Sequence, residues 1–321
     1  MVNSKDSRGL DLTKMSTLLK TEGVGQDFCF EEVTKVMKAD VNPLRVIIDC
    51  TNTQEAGDHY EGWLNEGIHI ISPGRKVGSG DLDRYHKIQA AQRGHAVEWY
   101  TESSVGSALP IITTVRDLFE TGDKIKTVTG CLSGTMAYVF SKFNEDVPFS
   151  EALARAVEKG YTENNICEDL SGQDMARKVV ILARQMGMEV SLEDVDVHSL
   201  LPESYSCDLE VAHENVIEDM KAFDEEMLER LKAAEAKDCN LRYQFTIDVA
   251  TSKCRCELKE ISKDDPLYRL KRNENLVAFE TERYETSPLI VKGAAAGPDL
   301  AAAGIFSDLL RLTRAYSANQ A

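Results

Sequence analysis

Between Gly160 and Lys178 the chain reads Gly-Tyr-Thr-Glu-Asn-Asn-Ile-Cys-Glu-Asp-Leu-Ser-Gly-Gln-Asp-Met-Ala-Arg-Lys, which places four carboxylates and a lysine in a loop and the helix after it. Acids gathered in this way can hold a ligand's ammonium. A lysine partly desolvated beside a core can give and take the proton of an alcohol being oxidised. On the predicted helix Met175, Val179, Leu182 and Met186 form the apolar stripe, and Asp174 and Lys178 occupy the neighbouring row, four residues apart. The same spacing serves an exposed ion pair worth ~0.3–0.5 kcal/mol, and spacing alone favours that plainer use.

The surrounding elements must hold this segment in place. Three short apolar runs, 44–50, 67–72 and 95–100, alternate with helical patterns over 55–66 and 81–93, closed by Gly67 and Gly94. Strand, helix, strand at this spacing predicts a parallel sheet. From Pro110 longer helices follow, over 111–120, 135–143, 151–159 and 174–186, with Ser150 and Ser171 as N-caps and Gly160 and Gly187 as stops for the last two. An acidic helical stretch leads to strands over 241–249, 255–261, 276–282 and 289–292, then a Gly/Ala-rich turn and a helix over 300–316.

Composition narrows the function. A length of 321 residues suits about two domains, and 42% hydrophobic with 28% charged residues is enough to build a packed core. The formal net charge of −17 excludes a nucleic-acid partner, because phosphate-backbone affinity depends on Lys and Arg. No apolar run approaches the ~18 residues of a membrane span, and Met1-Val-Asn-Ser-Lys-Asp is neither a secretory signal nor an Arg-rich transit segment. A cytoplasmic location with no membrane partner is expected; an organellar one stays open if further chain precedes Met1. The eight scattered cysteines read as reduced thiols, and Cys254-Arg-Cys256 is too poor in neighbouring ligands for zinc.

Several motifs, in order along nearly the whole chain, resemble homoserine dehydrogenase, especially the dehydrogenase portion of the bifunctional aspartate kinase–homoserine dehydrogenases. They are Asp49-Cys-Thr-Asn-Thr, Glu102-Ser-Ser-Val-Gly-Ser-Ala-Leu-Pro110, Leu132-Ser-Gly-Thr135, Gly160-Tyr-Thr-Glu163, Glu168-Asp-Leu-Ser-Gly-Gln-Asp-Met-Ala-Arg-Lys178, Asp265-Pro-Leu and Gly293-Ala-Ala-Ala-Gly297. The resemblance implies an α/β chain: a partial, NAD(P)-binding Rossmann-like domain over 1–110, an α+β catalytic and dimerisation domain over 111–292, and a C-terminal turn and helix over 293–321. It implies NAD- or NADP-dependent interconversion of L-homoserine and L-aspartate 4-semialdehyde, on the path to threonine, isoleucine and methionine, in a homodimer. Lys178 would be the acid/base, Asp174 its orienting partner and Glu163 a third site acid. Thr135, Tyr161 and Asp169 would contact substrate, and Thr51, Arg75 and Gly297 the cofactor. Glu102, Val105 and Ser107 would offer backbone carbonyls to a structural monovalent cation.

The sequence also departs from the family. No strand and Gly-x-Gly-x-x-Gly turn opens the chain; Gly23-Val-Gly25 reads as a plain loop, and Val2-Asn-Ser-Lys5 resembles the family's sequence just past its second strand. The chain is therefore expected to be truncated at its nucleotide-binding end. Gly74-Arg75 stands where the family shows Asn-Lys, keeping the charge without a transferable proton. Asn164-Asn-Ile-Cys167 replaces Pro-Asp-Pro-Arg and loosens the loop. Weak cofactor binding and impaired turnover are expected, and the rival expectation is a non-catalytic homologue that keeps the homoserine pocket or a regulatory role.

Overall fold

The computed structural model describes residues 11–14, 17, 20, 29–39, 42–201, 205, 213–271, 273–295 and 297–318. Gly23-Val-Gly25 and Val2-Asn-Ser-Lys5 lie outside them. Two compact units divide the chain, 1–45 and 46–321. In the first, the helix Phe30–Ala39 carries Glu31 and Glu32 in its first turn and Lys38 in its last, each complementing the helix dipole.

The second unit holds two sheets. The smaller has the order β1 (Arg45–Ile48), β2 (Ile68–Ile71), β3 (Trp99–Tyr100), and β2 and β3 run parallel as predicted. The helix Gln54–Asn65 starts at Thr53, whose side chain accepts from Ala56 N at 3.3 Å, and buries Tyr60, Trp63 and Leu64. Gly67 ends it at φ 74°, the left-handed conformation that favours glycine. The next helix, Leu82–His95, runs past Gly94 and closes on Ala96 at φ 51°, so Gly94 is not its stop. Buried Val97 turns the chain inward there, toward β3.

The larger sheet has the order β5 (Val195–Val197), β7 (Lys253–Ile261), β6 (Asn240–Asp248), β4 (Ile125–Cys131), β8 (Glu274–Thr281), β9 (Leu289–Ala294); only β5 and β7 pair in parallel. Central β4 was not among the predicted strands. Its polar Lys and Thr residues interrupt the apolar run, and Gly130 reads as a breaker. Here that glycine is required by packing, since a Cβ would lie 2.2 Å from Leu276 O.

Helices cover this sheet, and two predicted caps move. Phe149–Glu158 starts from Pro148, and Ser150 instead donates from N and Oγ to Asp224 at 2.8 and 2.6 Å. Residues 166–170, read as loop, form a short helix that Ser171 terminates, so Gly172, at φ 77°, is the N-cap of Gln173–Gln185. A Cβ on Gly172 would meet Tyr243 Oη at 2.1 Å. Pro298–Ala318 is the final helix. Among the described residues no helix is long and apolar enough to cross a membrane. Among the described residues six cysteines are free, while Cys167 is disulfide-bonded, which corrects the expectation of thiols throughout.

Candidate active site

The helix Gln173–Gln185 buries Met175, Val179 and Leu182 against the core, which leaves Asp174 and Lys178 on its margin facing a cavity of about 520 Å³. Their side chains are only 4% and 11% exposed, so the surface-pair interpretation fails. Lys178 Nζ donates to Asp174 Oδ2 at 2.6 Å and to Leu132 O at 2.8 Å, fixing the ammonium between a helix and the end of β4.

Arg75 enters from the loop after β2. Its Nε lies 2.8 Å from Asp174 Oδ1 and its Nη2 donates to Glu163 Oε2 at 2.8 Å. Asn52, at φ 52° in the Asp49-Cys-Thr-Asn-Thr turn, holds that loop by accepting from Arg75 N at 2.9 Å and Lys76 N at 3.3 Å. The backbone puts Arg75, not Lys76, against the acids. From the far end of the helix, Arg184 donates to Gly78 O and Gly80 O, both at 2.9 Å, and stacks over Tyr85.

The short helix Ile166–Leu170 brings up the third carboxylate. Asn165 caps it by accepting from Cys167 N at 3.0 Å, and Asp169 Oδ2 accepts from Glu163 N at 2.8 Å. Burial, with Asp174 nearby, pushes the Asp169 carboxyl up to about 7. Burial acts on Asp174 in the same direction, but the charges of Lys178 and Arg75 outweigh it and hold its carboxyl below the ordinary range. Burial tends to lower Arg75, and Asp174 and Glu163 overcome it and raise its affinity for the proton. Thr135, on the helix Gly134–Lys142 capped by Ser133, donates to Tyr161 O at 2.8 Å, tying two walls of the cavity together.

Glu163, Asp174, Lys178, Thr135, Tyr161, Asp169, Arg75, Ser107 and Gly297 thus meet around one cavity, while Thr51, Glu102 and Val105 do not line it. Thr51 N and Oγ1 donate to Asp49 Oδ1 at 2.8 and 2.7 Å. Glu102, 3% exposed, accepts from Ile112 N at 2.8 Å at the opening of the helix Ile111–Glu120 and pairs with Arg311 at 2.9 Å. Its carboxylate is thereby engaged, which leaves only backbone carbonyls for the expected cation. Leu132 and Asn52 lie within the family motifs without an assigned role, and the sequence does not single out Arg184, because backbone carbonyls and loop anchors carry no compositional signal.

Residues 110–310 match the family model described as homoserine dehydrogenase, and residues 7–102 match the homoserine dehydrogenase NAD-binding domain. The chain is 41% identical to the chloroplastic bifunctional aspartokinase/homoserine dehydrogenase 1 of Zea mays over 95% of its own length and 33% of the relative's. It thus spans about a third of the length of the plant relatives it matches. A Candida auris protein of unknown function superposes with a TM-score of 0.85 at 32% identity, covering 97% of this chain and 86% of that one. A hyperthermophilic archaeal homoserine dehydrogenase solved with NADPH shares the fold, with a TM-score of 0.70 at 18% identity over 94% of this chain and 82% of that one.

Proposed function

This chain belongs to the homoserine dehydrogenase family, and we propose that it interconverts L-homoserine and L-aspartate 4-semialdehyde with NAD or NADP. The observation that carries the reading is Lys178 Nζ, clamped 2.6 Å from Asp174 Oδ2 and 2.8 Å from Leu132 O in a cavity that also holds Glu163 and Asp169. In its neutral amine form Lys178 takes the proton from the substrate hydroxyl oxygen in the oxidative direction and becomes the ammonium, which returns that proton in the reductive direction. Asp174 orients that ammonium. Glu163 and Asp169 face the substrate's own ammonium, and a cation beside Asp169 favours its ionised form.

Arg75 supplies a fixed positive charge among these acids. With no proton to transfer near neutral pH, it balances charge and steers the substrate. Thr135, by fixing Tyr161 O, shapes the wall against which substrate lies. A nicotinamide cofactor, when bound, accepts or returns the hydride of the substrate's C4. The uncharged part of the cavity beside Gly297 would hold its ring, and Thr51, in the turn after β1, would contact the rest of the dinucleotide. We keep a homodimer, and a monovalent cation on the carbonyls of Glu102, Val105 and Ser107, within the same reading.

The test follows NAD(P)H formation from L-homoserine. Turnover is expected, falling about 10²–10⁴-fold in Lys178→Ala, the range for losing a positioned general acid–base. A Lys178→Ala protein as active as the parent would remove the lysine from the proton step.

A further inference from the structure

The charged residues of the cavity gather where Arg75, Glu163, Asp169, Asp174 and Lys178 meet. On the wall formed by the 103–107 loop and the start of the helix Pro298–Ala318, the residues that line the cavity are all uncharged. Its serine hydroxyls are already committed as donors: Ser103 Oγ to Ala301 O at 2.9 Å, Ser104 Oγ to Thr101 O at 2.6 Å and Ser107 Oγ to Ala295 O at 2.6 Å. Gly304 permits the close approach, since a Cβ there would meet Ser107 O at 2.6 Å.

One side chain beside this wall is left over. Asn275 borders the cavity, is 3% exposed, and its Oδ1 is buried with no hydrogen-bond partner. A buried amide oxygen without a partner costs about 1–3 kcal/mol, so its retention calls for a ligand that satisfies it. Strand register gives its position. On β8, Asn275 pairs with Gly293 of β9, and its neighbour Leu276 pairs with Cys131, one residue before the Leu132 carbonyl that holds Lys178 Nζ. Asn275 therefore stands between the proton-transfer lysine and the uncharged wall. Rotation about χ2 exchanges its Oδ1 and Nδ2, so the amide can present an acceptor or a donor.

A neutral, flat ligand group that both donates and accepts fits here; the charged groups of an amino-acid substrate belong at the charged end. We propose that Asn275 binds the carboxamide of the nicotinamide ring and so orients the ring beside Lys178. The proposal rests on the dehydrogenase reading above, because it takes the cofactor from it.

The test compares Kd values of the full chain for NADP and for its 3-acetylpyridine analogue, in which a methyl group replaces the carboxamide NH2, by titration calorimetry without substrate. The unsubstituted protein is expected to prefer NADP by about tenfold, the scale of one neutral hydrogen bond. Asn275→Leu should bring the ratio close to one while leaving the KM for L-homoserine unchanged. Asn275→Ser, smaller and still polar, gives the same readout if leucine disturbs folding. An unchanged ratio in both variants, or no preference in the unsubstituted protein, overturns the proposal. A protein that discriminates the two dinucleotides yet does not oxidise homoserine overturns the dehydrogenase reading and leaves the Asn275 assignment standing; one that binds neither overturns both.

Discussion

The two ends of the cavity are held together differently. At the charged end Asp174 meets both Lys178 and Arg75, and Glu163 meets Arg75 by its side chain and Asp169 by its amide, so each charge is shared with a neighbour. At the uncharged end the serines bond backbone carbonyls of their own loop or of the turn and helix against it, and none of these bonds involves a charge. Removing one charge at the first end strands others, whereas removing one hydroxyl at the second costs that hydroxyl alone. The difference teaches that the reactive end is also where the fold is most exposed to mutation.

The strongest challenge to this contrast is Asp174→Ala. It leaves Lys178 and Arg75 without their shared, buried partner, and a loss of about 3–5 kcal/mol in urea unfolding is expected. Adding Lys178→Met should recover part of that loss; a single variant as stable as the parent would show the charged end to be loosely built.

Asp169→Asn sharpens the contrast through pH. The folded-state pKa of Asp169 is raised to about 7 from 3.8, so its contribution to stability is full below about pH 4 and is lost as pH rises through 7. The stability of Asp169→Asn relative to the parent should therefore climb between pH 4 and pH 8, measured by thermal unfolding across that range. A flat difference would mean that the carboxyl is not held in the protonated form. The smallest effect is expected for Ser107→Ala at the uncharged end, about 1 kcal/mol from one neutral hydrogen bond, with no pH dependence.

Legibility in the sequence follows the same division. Glu163, Asp169, Asp174 and Lys178 stood out by residue type, and the periodicity of Gln173–Gln185 gave the face of Asp174 and Lys178. The helix Ile111–Glu120 and strands β6 to β9 were readable from apolar pattern. By contrast β4, broken by threonines and Gly130, gave no continuous run, and the helix Ile166–Leu170 is too short for a 3.6-residue period to show. Leu132 O and Asn275 become visible only through the pairing of β4 with β8, which no single stretch of sequence encodes. Arg75 was visible as a departure from the family, but its place among the substrate acids came from the Asn52 clamp.

The loop after β2 is fastened to the helix Gln173–Gln185 at two points, by Arg75 on Asp174 near its start and by Gly78 O and Gly80 O on Arg184 near its end. Asp174 and Arg184 are ten residues apart, roughly 15 Å along a helix. The helix therefore acts as a ruler for the loop. An added or deleted residue between Arg75 and Gly80 puts one fastening out of register, so loop and helix must be exchanged together whenever either is transplanted from a relative.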